Sequence, residues 1–340
     1  MPPVPPAVAR RFAAFGDVPL VAAVSGGRDS VAMLRMLAAC GSRPVVGHVV
    51  HGLRVDDDDE DAAFVAALAG ELGLRCEIRR VCLAAGTGES VEEQARRLRY
   101  DSLAEIAADN AATVLTAHTR DDQVETTLFN IIRGTGLRGL TMPGETTRTT
   151  AGGRSLHLMR PLLAVSRADL TDWLVAGGFD WRDDPTNAAS TYSRNRIRHE
   201  VLPLLRSIQP GADAALLTLG ELAGESDAVV RNQARCLLAA SLASESDSQT
   251  VRLHRTALEA FQAPPVVRGE LFRLIWRDRG WPLQDMGRRQ WTRLVDLSAT
   301  ATEPLAARFD LPGVRVTASA DVIELARRVG DGRGGSHSAP

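Results

Sequence analysis

The sequence predicts an α/β chain: a parallel sheet covered by helices on both faces, followed by a mostly helical domain that carries a small sheet. Two observations lead there. In the N-terminal part, short apolar runs suited to strands buried on both faces alternate with segments of helical spacing. After about residue 140 that alternation stops, and helical spacing dominates to about Leu297. A length of 340 residues accommodates two domains at roughly 150 residues each.

Each element has its own signal. Val18 to Val24 is nearly all apolar and ends at Ser25, a buried strand. A glycine turn follows, and Val31, Leu34 and Leu37 mark a helix over Ser30 to Ala39. Pro44 to His51 is the next strand. Asp57 to Leu72 is a helix whose first turn is acidic, where the helix dipole favours negative charge. Arg75 to Val81 and Thr113 to Ala117 are further strands, with a long amphipathic helix over Glu89 to Ala108 between them. Gly144 to Ser155, rich in Thr, Gly and Arg, is expected to be an exposed loop. Helices resume over Ser166 to Ala176 and Asn195 to Leu205. Pro210-Gly211 marks a linker, which puts the domains at 1–210 and 211–329. Val314, Val316, Val322 and Leu325 suggest the small sheet, and the Gly-rich tail 330–340 is expected to be disordered.

Composition excludes several classes. All 40 basic side chains are arginine and none is lysine. A Walker A loop, which ends in Gly-Lys-Ser/Thr, and Schiff-base chemistry on a protein lysine are therefore both ruled out. The net charge is −2, so nucleic-acid contact would have to come from local basic patches. Cys40, Cys76, Cys82 and Cys236 show no Cys-x-x-Cys spacing, against a zinc knuckle, an iron–sulfur site or a disulfide framework. No apolar run approaches the roughly 18 residues of a membrane span, and the N-terminus does not read as a signal peptide. A soluble, cytoplasmic protein is expected.

Three motifs carry chemistry. Ser25-Gly26-Gly27-Arg28-Asp29-Ser30 directly follows the first strand and opens the first helix. Two glycines allow close backbone approach, two hydroxyls can donate, and helix-end N–H groups face outward: an anion cradle. Phosphate would repel Asp29 unless Mg²⁺ lay between them, so its presence points to a metal–nucleotide complex. The plainer reading is a glycine turn capped by Asp29, and Ser25 also resembles a hydrolase elbow that lacks its first glycine. Second, Asp122 and Glu125 in His118-Thr119-Arg120-Asp121-Asp122-Gln123-Val124-Glu125 are three apart and share a helix face. They can receive a small cation such as an ammonium group, or simply complement the helix dipole. Third, Arg194, Arg196 and Arg198 place guanidinium forks together, suited to phosphates and equally ordinary at a helix start. Aromatic residues make up only 4% of the chain, which disfavours a stacking platform for single strands. Trp276, Trp281 and Trp291 are expected to pack in a core.

The Ser-Gly-Gly-x-Asp-Ser loop resembles the pyrophosphate loop of the N-type ATP pyrophosphatases, whose fold is adenine nucleotide alpha hydrolase-like. His118 to Met142 resembles the second signature of the tRNA(Ile)-lysidine synthetases. So do Arg160-Pro161-Leu162-Leu163, Trp181-Arg182-Asp183-Asp184-Pro185-Thr186-Asn187 and Arg194-Asn195-Arg196-Ile197-Arg198-His199. The match runs from about Val18 to Leu205 and is looser beyond. It implies a ligase that consumes ATP, with Mg²⁺, to adenylate the wobble cytidine of an isoleucine tRNA with a CAU anticodon, and then joins free L-lysine to C2. It further implies ATP contacts from Ser25, Gly26, Gly27, Arg28, Asp29, Ser30, Arg97 and His118, with Asp29 on the metal. Asp122 and Glu125 would hold the lysine, and Arg133, Arg194, Asn195, Arg196 and Arg198 the tRNA, aided by the C-terminal domain. A tRNA thiolase, or a nucleotide- or RNA-binding module without catalysis, are the alternatives. The thiolase reading is weakened by the cysteine spacing.

Overall fold

A computed structural model describes residues 1–52, 55–84, 89–182, 193–243, 246–247, 249–283, 285–299 and 306–328. The chain divides into two compact units, Met1–Leu222 and Ala223–Pro340.

The first unit opens with α1 (Pro6–Ala13) and then alternates: β1 (Leu20–Ala23), α2 (Arg28–Ala39), β2 (Val45–Val50), α3 (Val55–Glu71), β3 (Cys76–Arg80), α4 (Val91–Asp109), β4 (Thr113–Leu115) and α5 (Arg120–Ile132). After the single turn α6 (Leu137–Leu140) come β5 (Thr146–Ala151), β6 (Arg154–Met159) and α7 (Arg167–Gly177). The six strands are ordered β3-β2-β1-β4-β6-β5, all parallel except β5. Alternation along β1 explains why both faces are covered. Leu20 and Ala22 pack with α2 and α7, whereas Val21 packs with α4 through Leu103 and Ile106.

One expectation is corrected. Most of residues 144–155 are not loop: Thr146–Ala151 and Arg154–Met159 pair as an antiparallel hairpin. β-branched threonines suit a strand, and Gly152 and Gly153, with φ of 54° and 73°, supply the two left-handed residues that a tight hairpin turn requires.

The segment expected to be one helix over Asn195 to Leu205 is helical throughout and contains one wide turn. α8 (Ser193–Arg196) runs into a π-helical turn at Ile197–Val201, then α9 (Leu202–Ile208). A turn at Gln209–Gly211 precedes the 30-residue helix α10 (Ala212–Ser241), which contains the division between the units.

The second unit holds β7 (Thr250–His254), α11 (Arg255–Ala260), α12 (Pro265–Asp278), α13 (Arg288–Ser298), β8 (Ala307–Leu311), β9 (Val314–Ala318) and β10 (Val322–Arg327). Its antiparallel sheet runs β7-β10-β9-β8. The core is fully buried around Trp276, whose ring meets Trp281 edge-on at 5.0 Å and Trp291 at 5.5 Å. Residues 183–187 of the Trp181-to-Asn187 motif and the tail 330–340 lie outside the described residues. Among the described residues, no helix is long and apolar enough to cross a membrane.

Candidate active site

In the first unit β1 runs parallel to both β2 and β4, so the loops that follow β1 and β4 leave the same edge of the sheet. The strand order also reverses direction there, the place where open parallel sheets bind ligands. A cleft of about 510 Å³ lies at that edge. It is lined by Ser25, Gly27, Arg28, Asp29, Ser30, His118, Asp122 and Arg198, all singled out by sequence, together with Arg99 and Arg167.

The loop after β1 is held from within. Ser30 Oγ donates to the Gly27 carbonyl at 2.8 Å and lies 3.3 Å from Ser25 Oγ, while the Ser25 amide donates to Ser30 Oγ at 3.2 Å. Gly26 takes φ of 89°, which disfavours any side chain, and its carbonyl accepts from the Arg182 amide at 3.0 Å. Helix α2 then begins at Gly27 without a side-chain cap, so its first N–H groups are available to an anion.

On the β4 side, Thr119 and Asp122 form a capping box that opens α5: Asp122 Oδ2 accepts from the Thr119 amide at 2.8 Å and from Thr119 Oγ1 at 2.9 Å. Its other oxygen, Oδ1, accepts from Arg167 Nη2 at 2.7 Å. Glu125, one turn on, has no exposed surface. It accepts from Arg167 Nη1 at 2.7 Å and from Arg198 Nε and Nη2 at 2.7 and 2.8 Å. Arg167 Nε also reaches Asp29 Oδ2 at 3.2 Å, and Arg28 Nε reaches Asp29 Oδ1 at 3.2 Å. One guanidinium thus joins three carboxylates from two helices, α2 and α5.

Burial would raise the carboxyls of Asp122 and Glu125. The guanidinium of Arg167 at Asp122, and those of Arg198 and Arg167 at Glu125, hold both below their usual range instead. Burial pushes His118 down to about 4, against the pull of Asp122 and with help from Arg160 and Arg99. Its ring is therefore neutral near pH 7, with Nδ1 2.9 Å from Thr116 Oγ1.

Several expected site residues sit elsewhere. Arg97 is exposed and paired with Glu89 and Asp101; of its run it is Arg99 that lines the cleft, with Nε buried and unpartnered. Arg133 is exposed at the end of α5 over the Phe129 ring, and Arg196 is exposed and paired with Glu200. Arg194 leans inward, 3.1 Å from Thr126 Oγ1 and 3.6 Å from Glu125, beside half-buried Asn195. Arg167 itself was not singled out by the sequence. Its available signal was electrostatic: a cation at the first position of a helix opposes the helix dipole.

A cleft with an uncapped helix end on one wall and anchored carboxylates on the other is suited to a nucleotide and a cationic co-substrate. The family model of the PP-loop domain matches residues 6–205, which makes the chain a PP-loop protein. A tRNA(Ile)-lysidine synthase of Dehalococcoides mccartyi is 34% identical over 302 residues, covering 86% of this chain and 63% of that protein. One of Rhodopirellula baltica is 32% identical over 326 residues, covering 84% and 81%. Within the PP-loop proteins the chain belongs to the tRNA(Ile)-lysidine synthase family. It spans less than two thirds of the D. mccartyi relative, at 63%, and of a Deinococcus deserti one, at 40%. The U34-tRNA thiolase NcsA of Methanococcus maripaludis shares the fold, with a TM-score of 0.52 at 16% identity over 64% of this chain and 78% of that one.

Proposed function

We propose that the chain ligates free L-lysine to C2 of the wobble cytidine of an isoleucine tRNA with a CAU anticodon. One observation supports the reading: the glycine loop after β1, with the uncapped start of α2, and the Asp122 carboxylate line a single cleft, and Glu125 is buried behind them on the same Arg167 guanidinium. In the first step the cytidine O2 attacks the α-phosphate of ATP, and pyrophosphate leaves. The first N–H groups of α2, with Ser25 and Ser30, stabilise the charge that develops on the phosphates. In the second step the lysine ε-amine attacks C2 and AMP departs with the bonding pair. Asp122, with Oδ1 on the cleft, holds the ammonium group, and Glu125 acts through the guanidiniums it anchors.

Mg²⁺ fits this site as an ion carried by the nucleotide. Among the described residues no cluster of three or more His, Cys, Asp or Glu could hold a metal by itself, and Asp29 offers the single carboxylate such an ion needs beside phosphate oxygens. Bound there, it would neutralise charge on the leaving pyrophosphate. Arg28 and Arg99 face the nucleotide and His118 stays near it as a neutral group. Arg133, Arg194, Asn195, Arg196 and Arg198, together with the second unit, contact the tRNA. The reaction takes place in the cytoplasm.

The test is AMP release from α-labelled ATP with purified bulk tRNA, with and without L-lysine. AMP formation that depends on tRNA, with lysine label entering the tRNA, is the expected result. Turnover that ignores lysine would overturn it and point to another adenylating tRNA enzyme.

A further inference from the structure

Arg167 is costly to keep where it is. Its side chain is only 13% exposed, and removing a guanidinium from water is expensive unless it is paired. Helix α7 does not require it, because Ser166 and Asp169 already form a capping box there, and a cation at that end opposes the helix dipole. What holds it is the triple bridge. The Nε reaches Asp29 at 3.2 Å, Nη2 reaches Asp122 at 2.7 Å and Nη1 reaches Glu125 at 2.7 Å. The backbone is pinned as well: the Arg167 amide donates to Asp121 Oδ2 at 2.8 Å, and the Arg120 amide to the Val165 carbonyl at 3.0 Å. Behind it, Leu170, Trp173 and Leu174 of α7 share a core with Val31 and Leu34 of α2, the helix that carries Asp29.

A guanidinium is planar, with its donors in a fixed fork. Bridging Asp29 and Asp122 therefore fixes the spacing between the phosphate loop and the carboxylate that faces the amine. The second oxygen of Asp122 is taken by Thr119, so the carboxylate cannot swing to compensate. Oδ1 retains one lone pair beyond its bond to Arg167, enough for one ammonium hydrogen bond.

We propose that Arg167 is a positioning residue for amine transfer: it ties the phosphate loop to the amine-binding carboxylate so that the lysine nitrogen meets the face of the ring at the activated C2. This rests on the function proposed above. In that step the ammonium first gives one proton to water and becomes a free amine, the N–C2 bond forms, the C2–O bond to AMP breaks with its electron pair leaving on AMP, and the nitrogen passes a second proton to water. Reaction needs the nitrogen about 3–3.5 Å from C2, and a misplacement of about 1 Å costs on the order of 100-fold.

The experiment is a single-turnover reaction with purified tRNA, ATP and labelled L-lysine, reading pyrophosphate release and lysine incorporation in the same sample. The variants are Arg167→Gln and Arg167→Lys, each checked by its melting temperature. Lysine incorporated per pyrophosphate released should fall about 100-fold in both, with adenylated tRNA accumulating. Restoration of the ratio by Arg167→Lys would overturn the proposal, because charge alone would then suffice. A parallel fall of both products in both variants would overturn it too and leave Arg167 a structural role. If Arg167→Gln does not fold, the charge-preserving variant decides. Wild-type protein that incorporates no lysine would instead defeat the underlying function, whatever the variants do.

Discussion

The two units treat buried charge differently. In the second, the half-exposed pair of Arg252 and Glu324 only joins the neighbouring strands β7 and β10 at 2.7 Å, and the pairs on buried acids are local: Asp227 and Arg231 meet one helical turn apart at 2.8 Å, and Glu270 pairs with Arg277 on the same helix. Such pairs patch a single element. In the cleft of the first unit, Arg167 reaches across 138, 45 and 42 positions to Asp29, Asp122 and Glu125, and Arg198 across 73 to Glu125. Nothing in folding a parallel sheet demands that network, and apolar side chains of the same volume would often stabilise as well or better. Buried charge that joins distant segments around a cleft is the signature of a site. Charge that pairs within one helix belongs to the scaffold.

That contrast can be broken. The largest effect is expected from Asp29→Ala, which should lower AMP formation on the order of 10²–10³-fold and leave the melting temperature nearly unchanged. Trp276→Ala in the core of the second unit should do the reverse, lowering unfolding free energy by about 3–5 kcal/mol in denaturant titrations while nucleotide binding to the first unit persists. If the two variants behaved alike, the division into site and scaffold would fail. Asp122→Asn sharpens it. The amide oxygen can still cap α5, but the charge is gone, so the KM for lysine should rise about 10-fold or more with helix stability kept; an unchanged KM would remove Asp122 from amine binding.

The smallest effect is on pH. His118 takes up its proton near 4 in the folded chain and near 6.5 when unfolded, so between those values the unfolded state binds more protons and stability falls as pH falls. The lowered Asp122 and Glu125 act in the same sense further down. The drop in melting temperature from pH 6.5 to 4 should be shallower in His118→Asn than in the wild type.

Much of this was legible in the residues. Four parallel strands and their helices followed from apolar runs and periodicity, and the loop around Gly26 and Gly27 from its order after β1. Strand β5 was hidden because a run of threonines with an arginine is polar on both sides, although Leu156 and Leu158 alternate into the core along β6 and Gly152-Gly153 marked the turn. Arg97 and Arg99 share helix α4, and the sequence alone does not mark which of them lies on its inner face. Leu103, one turn beyond Arg99 and buried, marks that face. Arg167 escaped because its partners are distant in sequence, and neither spacing nor composition encodes a contact of that kind.

Helices α4, α5 and α7 each close their first turn with a capping box, Ser90–Glu93, Thr119–Asp122 and Ser166–Asp169, whereas α2 begins at Gly27 with none. On the proposed reading, a phosphate oxygen would do for α2 what a hydroxyl does for its neighbours. The substrate is then the missing cap of a structural helix, and ATP should act as a folding ligand that raises the melting temperature with the logarithm of its concentration.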